Sequence, residues 1–263
     1  MRIATGGGSP ASRVNPYRWR LSGSFLAHLF KATTQQHHRA LAAIITRFVP
    51  SAAVVFDIGA RAGQYTKLFA RAAVQGRVYA IEPGSCSYAR AILRGVVSLH
   101  GLANVSLLPM ALGSGSGLGT LTLPVKGRGS FGFGLAHLGA PGDRWDEVAQ
   151  ELVALATLDA LVAALGLDRV DCIKADVAGW ELQVLRGARD TIQRFRPHLM
   201  LELTAEHLAR ADDRLDDIFA FLEELGYAAL ELAPDGEPVP VTTRHDGDFW
   251  FIPREEPRYD ATV

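Results

Sequence analysis

Disulfide chemistry has little to work with in this chain: only Cys86 and Cys172 are cysteines among 263 residues. Two thiols exclude the multi-bridge framework of small secreted domains. Cys172 falls in the apolar run 170–173 and reads as a small core residue. Cys86, in Pro83-Gly84-Ser85-Cys86, has no Cys-x-x-Cys partner or nearby base to make it redox-active. An excess of one charge is lacking as well. The 27 basic and 28 acidic residues leave a formal charge of −1, so no field gathers nucleic acid or an anionic membrane. Nor does any stretch approach the roughly 18 uninterrupted apolar residues of a membrane span. The richest region, 148–167, is interrupted by Gln150, Glu151, Thr157 and Asp159. The first 13 residues have no apolar centre of a signal peptide. These absences predict, by default, a cytoplasmic protein acting on a small neutral or mixed-charge molecule, with no nucleic-acid partner.

What is present suits a single α/β domain with short extensions, and the 48% hydrophobic content is ordinary for a buried core. We divide the chain into a disordered start and N-terminal helical extension (1–50), a main domain (51–253) and a tail (254–263). Residues 1–20 are small, polar and glycine-rich, which predicts disorder or loose docking. Phe25, Leu29, Leu41, Ile44, Ile45 and Phe48 recur at helical spacing, and Pro50 ends the pattern. His37 and His38 point in different directions on such a helix and read as surface. Strands are predicted at 53–58, 77–81, 105–108, 170–175 and 198–203, with helices at 64–74, 88–100, 180–189 and 215–225. Strands near 227–232 and 249–252 suggest an antiparallel hairpin at one edge. Alternation of this kind means a doubly wound, mostly parallel sheet covered on both faces. A long insertion separates the third and fourth strands. It holds a strand-like 120–124, a glycine-rich 126–142 carrying Phe131, Phe133 and His137, and a stretch 149–166. That last stretch reads equally as one helix or as a strand ending at Thr157 before a helix.

Four acids carry the functional signal. Asp57 ends the first strand within Asp57-Ile58-Gly59-Ala60-Arg61-Ala62-Gly63, a turn whose glycines let backbone approach a ligand before a helix N-terminus. The Gly-x-x-x-Gly spacing differs from the Gly-x-Gly-x-x-Gly of dinucleotide binding. Glu82 ends the second strand, where an acid accepts hydrogen bonds from ribose hydroxyls in nucleotide-binding sheets. Asp176 ends the fourth and precedes a helix, and Glu202 closes the fifth. Singly, the glycine turn is packing, Glu82 is solvated surface and Asp176 is a helix N-cap. Four acids at the carboxyl ends of separate parallel strands share one edge, where ligands bind, and packing does not explain that convergence.

At this point the chain resembles the FkbM-type methyltransferases, a branch of the S-adenosylmethionine-dependent superfamily. The likeness runs from about Val54 to Glu202 and, more weakly, to Phe251. It rests on Asp57-Ile58-Gly59-Ala60 with Gly63-Gln64-Tyr65-Thr66, Ala80-Ile81-Glu82-Pro83, and Asn104-Val105 leading to Ala111-Leu112-Gly113. Thr157-Leu158-Asp159, Ile173-Lys174-x-Asp176-Val177-x-Gly179-x-Glu181 and Leu185-Arg186-Gly187-Ala188 complete it. The resemblance implies a Rossmann-like class I methyltransferase fold with S-adenosyl-L-methionine as cofactor. It implies that Asp57, Gly59 and Gly63 line the methionine part and that Glu82 holds the ribose, with Ala60, Tyr65 and Pro83 in the same cofactor motifs. It also implies a hydroxyl acceptor on a sugar, glycan or secondary metabolite. Two positions depart from the family pattern: Ala178 stands where Glu is usual, and Arg61 where Asn is frequent.

An alcohol needs a base to take its proton as it attacks a sulfonium methyl group. Asp176 is expected to be that base or to orient the hydroxyl, with His137 and Glu202 as alternatives. Phe131, Phe133 and Trp180 are candidates for an apolar wall around the acceptor. No metal site is predicted, since the eight histidines form no ligand pattern with paired acids. Oligomeric state is open, a homo-oligomer included. The rival reading is a non-catalytic cofactor- or partner-binding protein that keeps the fold, supported by Ala178. A nicotinamide-dependent oxidoreductase is disfavoured by the glycine spacing.

Overall fold

The computed structural model describes residues 12–13, 23–36, 41–84, 88–126, 130–131, 136–138, 147–233 and 236–255. His37, His38, Cys86, Phe133 and most of the start and tail lie outside them. In chain order, β1 (Ser12–Arg13), α1 (Gly23–Thr34) and α2 (Leu41–Phe48) precede β2 (Val54–Ile58), α3 (Gln64–Ala72), β3 (Arg77–Ile81), α4 (Tyr88–Leu99) and β4 (Val105–Leu108). The insertion follows as β5 (Ala111–Leu112), β6 (Gly117–Lys126), β7 (Ser130–Phe131), β8 (His137–Leu138) and β9 (Glu147–Ala156). Then come α5 (Leu158–Ala164), β10 (Cys172–Ala175), α6 (Glu181–Arg186), α7 (Arg189–Phe195) and β11 (His198–Leu203). The last elements are α8 (Ala205–Leu208), α9 (Leu215–Glu224), β12 (Tyr227–Leu232), β13 (Pro238–Pro240) and β14 (Gly247–Pro253).

The main sheet has the order β4-β3-β2-β10-β11-β14-β12-β13. Strands β4, β3, β2, β10 and β11 are parallel. The chain winds outward from β2 to β4 and returns to β10 on the other side of β2, so the strand order reverses between β2 and β10. A crevice at the carboxyl ends is the geometric consequence. Side-chain alternation sends neighbours to opposite faces. Phe56, Ile58, Ile173, Ala175, Leu199, Leu201, Phe249 and Phe251 pack on one side with residues of α5, α6, α7 and α9. Val55, Cys172, Met200, Trp250 and Ile252 pack on the other with residues of α2 and α3. The fold is thus the doubly wound α/β class expected from the strand–helix alternation.

Three local expectations change. The antiparallel pairing of β12 with β14 holds, but β14 is inserted between β11 and β12, and β13 forms the edge. Phe249, Trp250, Phe251 and Ile252 are all buried, so β14 fills both faces and occupies an interior position. The single helical stretch before Pro50 is two helices. Two of the last carbonyls of α1 are taken by Lys67 Nζ (2.7 Å to Ala32 O) and His100 Nε2 (3.0 Å to Thr33 O), while the Thr33 and Thr34 hydroxyls donate one turn back to Leu29 O and Phe30 O. Side chains that satisfy those carbonyls end the helix in place of a further turn. The insertion is no loose loop but a second sheet of order β1-β9-β6-β7, with β5 on β9 and β8 on β6. There, 149–166 resolves as a strand ending before Thr157, whose hydroxyl accepts the Ala160 N–H and caps α5.

The second sheet is fastened to the first at Gly187. A Cβ there would lie 2.0 Å from the carbonyl oxygen of Gly113, at the start of the insertion. Gly187→Ala is therefore expected to destabilise the protein by roughly 2–3 kcal/mol through overpacking. Chemical denaturation reads this directly, and a loss within 0.5 kcal/mol of zero, the usual surface value, would count against a rigid junction.

Candidate active site

Asp57 sits on β2 beside Lys174 of β10, its partner in register. Both are buried, at 0% and 3% exposure, on the face that α3 covers. Thr66 of α3 donates its hydroxyl proton to Asp57 Oδ2. Lys174 Nζ lies 3.6 Å from Asp57 Oδ1 and 3.6 Å from Asp176 Oδ2, and donates to Gly59 O at 3.1 Å. It also stands 5.2 Å from the centre of the Tyr65 ring, a cation–π contact. Burial and the surrounding carboxylates push the Tyr65 hydroxyl up, so it stays a neutral group.

The turn after β2 is set by backbone constraints. Gly59 has φ +73°, and a Cβ on it would lie 2.0 Å from the Asp176 carbonyl oxygen, so only glycine lets the turn close on β10. Gly63, at φ +78°, is the N-cap of α3. Arg61 adopts φ +47°, a left-handed conformation that Asn accepts more readily. Its backbone N–H donates to Glu82 Oε2 at 2.9 Å, and its guanidinium pairs with Asp176.

Asp176 is not a helix N-cap: α6 starts at Glu181 with Trp180 before it. The Glu181 carboxylate accepts the N–H groups of Val177 (2.9 Å) and Gly179 (3.0 Å) and so folds the loop beneath the site. Burial alone would raise the Asp176 carboxyl. The charges of Lys174 and Arg61, with the hydrogen bond from Glu202, outweigh it and hold Asp176 below the usual carboxylate range. Glu202 moves the other way, up to about 7, because its carboxyl is desolvated and faces the Asp176 charge. Glu82, 8% exposed, is likewise pushed up to about 7 by burial, with the Arg61 N–H and charge opposing.

A cleft runs along the carboxyl ends of the strands. Ile58, Gly59, Arg61, Glu82 and Pro83 line it together with Met110, Leu112, Leu121, His137, Asp176 and Trp180. His137, expected on an exposed loop, is 7% exposed in β8, paired to β6 of the second sheet. The structure therefore brings Gly59, Glu82, Pro83, His137 and Asp176 to one cleft. Asp57, Ala60, Gly63, Tyr65 and Glu202 are not among the residues that line it. Asp57 and Tyr65 flank the turn and are buried, Ala60 is buried within it, and Glu202 is exposed on β11. Phe131 lies in β7, within the insertion. Lys174 and Glu181 went unassigned at the level of sequence. A lone lysine inside the apolar strand Cys172-Ile173-Lys174-Ala175 was the available signal. Among the described residues no cluster of His, Cys, Asp or Glu is arranged to hold a metal ion, and no helix is long and apolar enough to cross a membrane.

Strand order, glycine turn and strand-end acids together define a doubly wound α/β domain with a cleft at its switch point. A family model, described as the methyltransferase FkbM domain, matches residues 57–229, and the chain belongs to that family. Among solved structures the chain is similar to methyltransferase FkbM from Methylobacillus flagellatus KT: 16% identity, TM-score 0.49, covering 87% of this chain and 59% of that one. It is also similar to a putative O-methyltransferase from Klebsiella pneumoniae (15% identity, TM-score 0.48, 90% and 94% covered). A third is a putative methyltransferase from Streptococcus mutans in complex with SAH (11% identity, TM-score 0.46, 80% and 92% covered). A search of the curated proteins found no match.

A buried acid whose folded pKa exceeds its unfolded value stabilises the fold while protonated, and that contribution fades as pH rises. Glu82, ordinarily near 4.5 and here about 7, thus makes the protein lose stability as pH rises from about 4.5 to about 7. Glu82→Gln should flatten this slope, removing up to about 3 kcal/mol of pH dependence. Urea denaturation across that range measures it, and an unchanged slope would remove Glu82 as the titrating group.

Proposed function

We propose that the protein is an S-adenosyl-L-methionine-dependent O-methyltransferase acting on a hydroxyl of a sugar, glycan or secondary metabolite. The observation that carries this reading is the buried Glu82 carboxylate at the end of β3, in the same cleft as the Gly59 turn, Asp176 and His137. A ribose diol offers the two donors such a carboxylate accepts. The cofactor fits this donor set: Glu82 with Pro83 would hold the ribose and its surroundings, and the Gly59 to Gly63 turn the methionine end. Asp57 and Tyr65 flank that turn and Ala60 lies within it. When bound, the cofactor supplies an electrophilic methyl group on a positively charged sulfur.

The remaining chemistry falls to residues of this chain. Asp176 is clamped by Arg61, Lys174 and Glu202, and a carboxylate held below its usual range is a weak proton acceptor. Asp176 therefore orients the acceptor hydroxyl, and His137, in the same cleft on β8, takes its proton. Glu202, protonated near neutrality, locks the far side of Asp176. Met110, Leu112, Leu121 and Trp180 exclude water from the acceptor side. The acceptor is a small molecule or glycan, not a nucleic acid, since the net charge is −1.

Calorimetric titration tests the cofactor assignment. S-adenosylmethionine should bind the wild type, nicotinamide dinucleotides should not, and Glu82→Ala should weaken binding at least tenfold, about 1.4 kcal/mol. Absence of binding to the wild type would withdraw the assignment. With an acceptor found in a hydroxyl panel, His137→Ala should lower turnover by on the order of 100-fold while cofactor affinity stays within about twofold. Tight binding with no transfer to any acceptor would favour the non-catalytic reading, to which Ala178 in place of an acid also points.

A further inference from the structure

We propose that Lys174 is a positioning residue that fastens the cofactor turn to the acceptor-side acid through a single buried ammonium. Alternation places it on the same sheet face as Asp57, and register places the two side by side on neighbouring strands. Four oxygens surround Nζ: Gly59 O at 3.1 Å, Ile58 O at 3.4 Å, and Asp57 Oδ1 and Asp176 Oδ2, each at 3.6 Å. One of these belongs to the turn after β2, one to the last residue of β2 and one to the acid after β10. Asp57 Oδ1 is buried and has no hydrogen-bond partner among the described residues, so the lysine is its nearest counter-charge.

The charge balance of the pocket turns on this one group. Asp57 and Asp176 are carboxylates, Arg61 faces Asp176 from the turn, and Glu202 faces it from β11. Glu82 from β3 and the Tyr65 ring from α3 also feel the ammonium. Among the described residues Arg61 forms its ion pair with Asp176, and Asp57 forms its own with Lys174. Without Lys174, the fully buried Asp57 and its neighbour would share one cation placed on the far side of the second acid. A buried, uncompensated carboxylate takes up a proton or draws in water. Loss of the ammonium also leaves the Gly59 carbonyl without its donor, so that the Asp176 N–H on Ile58 O, at 3.2 Å, remains to hold the strand end while the turn beyond it loosens.

The inference that this affects ligand binding rests on the cofactor assignment above, whereas its electrostatic half does not, so two measurements separate them. The first is urea denaturation of wild type and Lys174→Met from pH 5 to 8 without ligand. A variant acid with a raised folded pKa gains stability when protonated and loses it as pH rises. The unfolding constant of Lys174→Met relative to wild type should therefore grow at least tenfold over that range. A defect equal at both ends of the range would reduce Lys174 to packing and overturn the proposal. If Lys174→Met fails to fold, Lys174→Met/Asp57→Asn, which removes charge and counter-charge together, should fold; its failure would also overturn the proposal.

The second measurement is titration with S-adenosylhomocysteine at pH 8, on whichever of the two variants folds. Affinity should fall at least tenfold, and affinity within twofold of wild type would overturn the coupling of Lys174 to the turn. Wild type that binds no S-adenosylhomocysteine at all would overturn the coupling together with the cofactor reading, and the denaturation series would still decide the charge role.

Discussion

A carboxylate shut away from water costs several kcal/mol unless a counter-charge and hydrogen bonds reach it, and Asp57 is fully buried in the middle of the main sheet. Its survival there depends on Thr66 from the helix in front and Lys174 from the strand beside it. The same ammonium holds the carbonyls of Ile58 and Gly59 and reaches Asp176. The glycine turn, the helix after it and the acid at the end of β10 are thus tied to one charge. Move any of them and the others lose a partner, which is why the site is rigid where a cofactor would need it to be.

The second sheet answers a different need. A crevice at the carboxyl ends of parallel strands is open to solvent on one side, and displacement at a sulfonium centre gains from exclusion of water. The insertion supplies that wall with β6 and β8, which bring Leu121 and His137 to the cleft. Its attachment is as tight as a core: Gly187 meets the Gly113 carbonyl without room for a methyl group, and Thr157 caps α5 as the chain returns to the main sheet. A cover with its own hydrogen-bonded sheet holds an imidazole more firmly than a loop does.

The main sheet was legible because both signals that define it are local. Continuous apolar runs show in the residues themselves, as with Val55 and Phe56 or Trp250 and Phe251, each pair buried on both faces of the sheet, and the strand-end acids sit where those runs stop. The insertion was harder to read. Leu152 is exposed and Val153 buried in β9, so the stretch alternates as a strand should, but its many alanines and leucines suit a helix equally well. Only pairing with β6, set by tertiary contact, decides between them. His137 was placed on a loop for the same reason, since its burial depends on that pairing. Lys174 was written in the sequence as a charge inside an apolar strand. Its importance required the register with Asp57, which no single strand contains.

The two departures from the family pattern act at one point. Asn at position 61 would accept the left-handed backbone and carry no charge; Arg61 accepts the strain of φ +47° and adds a cation beside Asp176. Glu at position 178 would add a carboxylate next to Asp176; Ala178, itself at φ +55°, removes it. Both changes shift the local charge in the same direction, away from a surplus of carboxylates. With a further acid at 178, Asp176 and Glu202 would have to share their proton among three groups. With Ala178 and Arg61, Asp176 stays ionised while the proton of this pair rests on Glu202, whose carboxyl is pushed up to about 7.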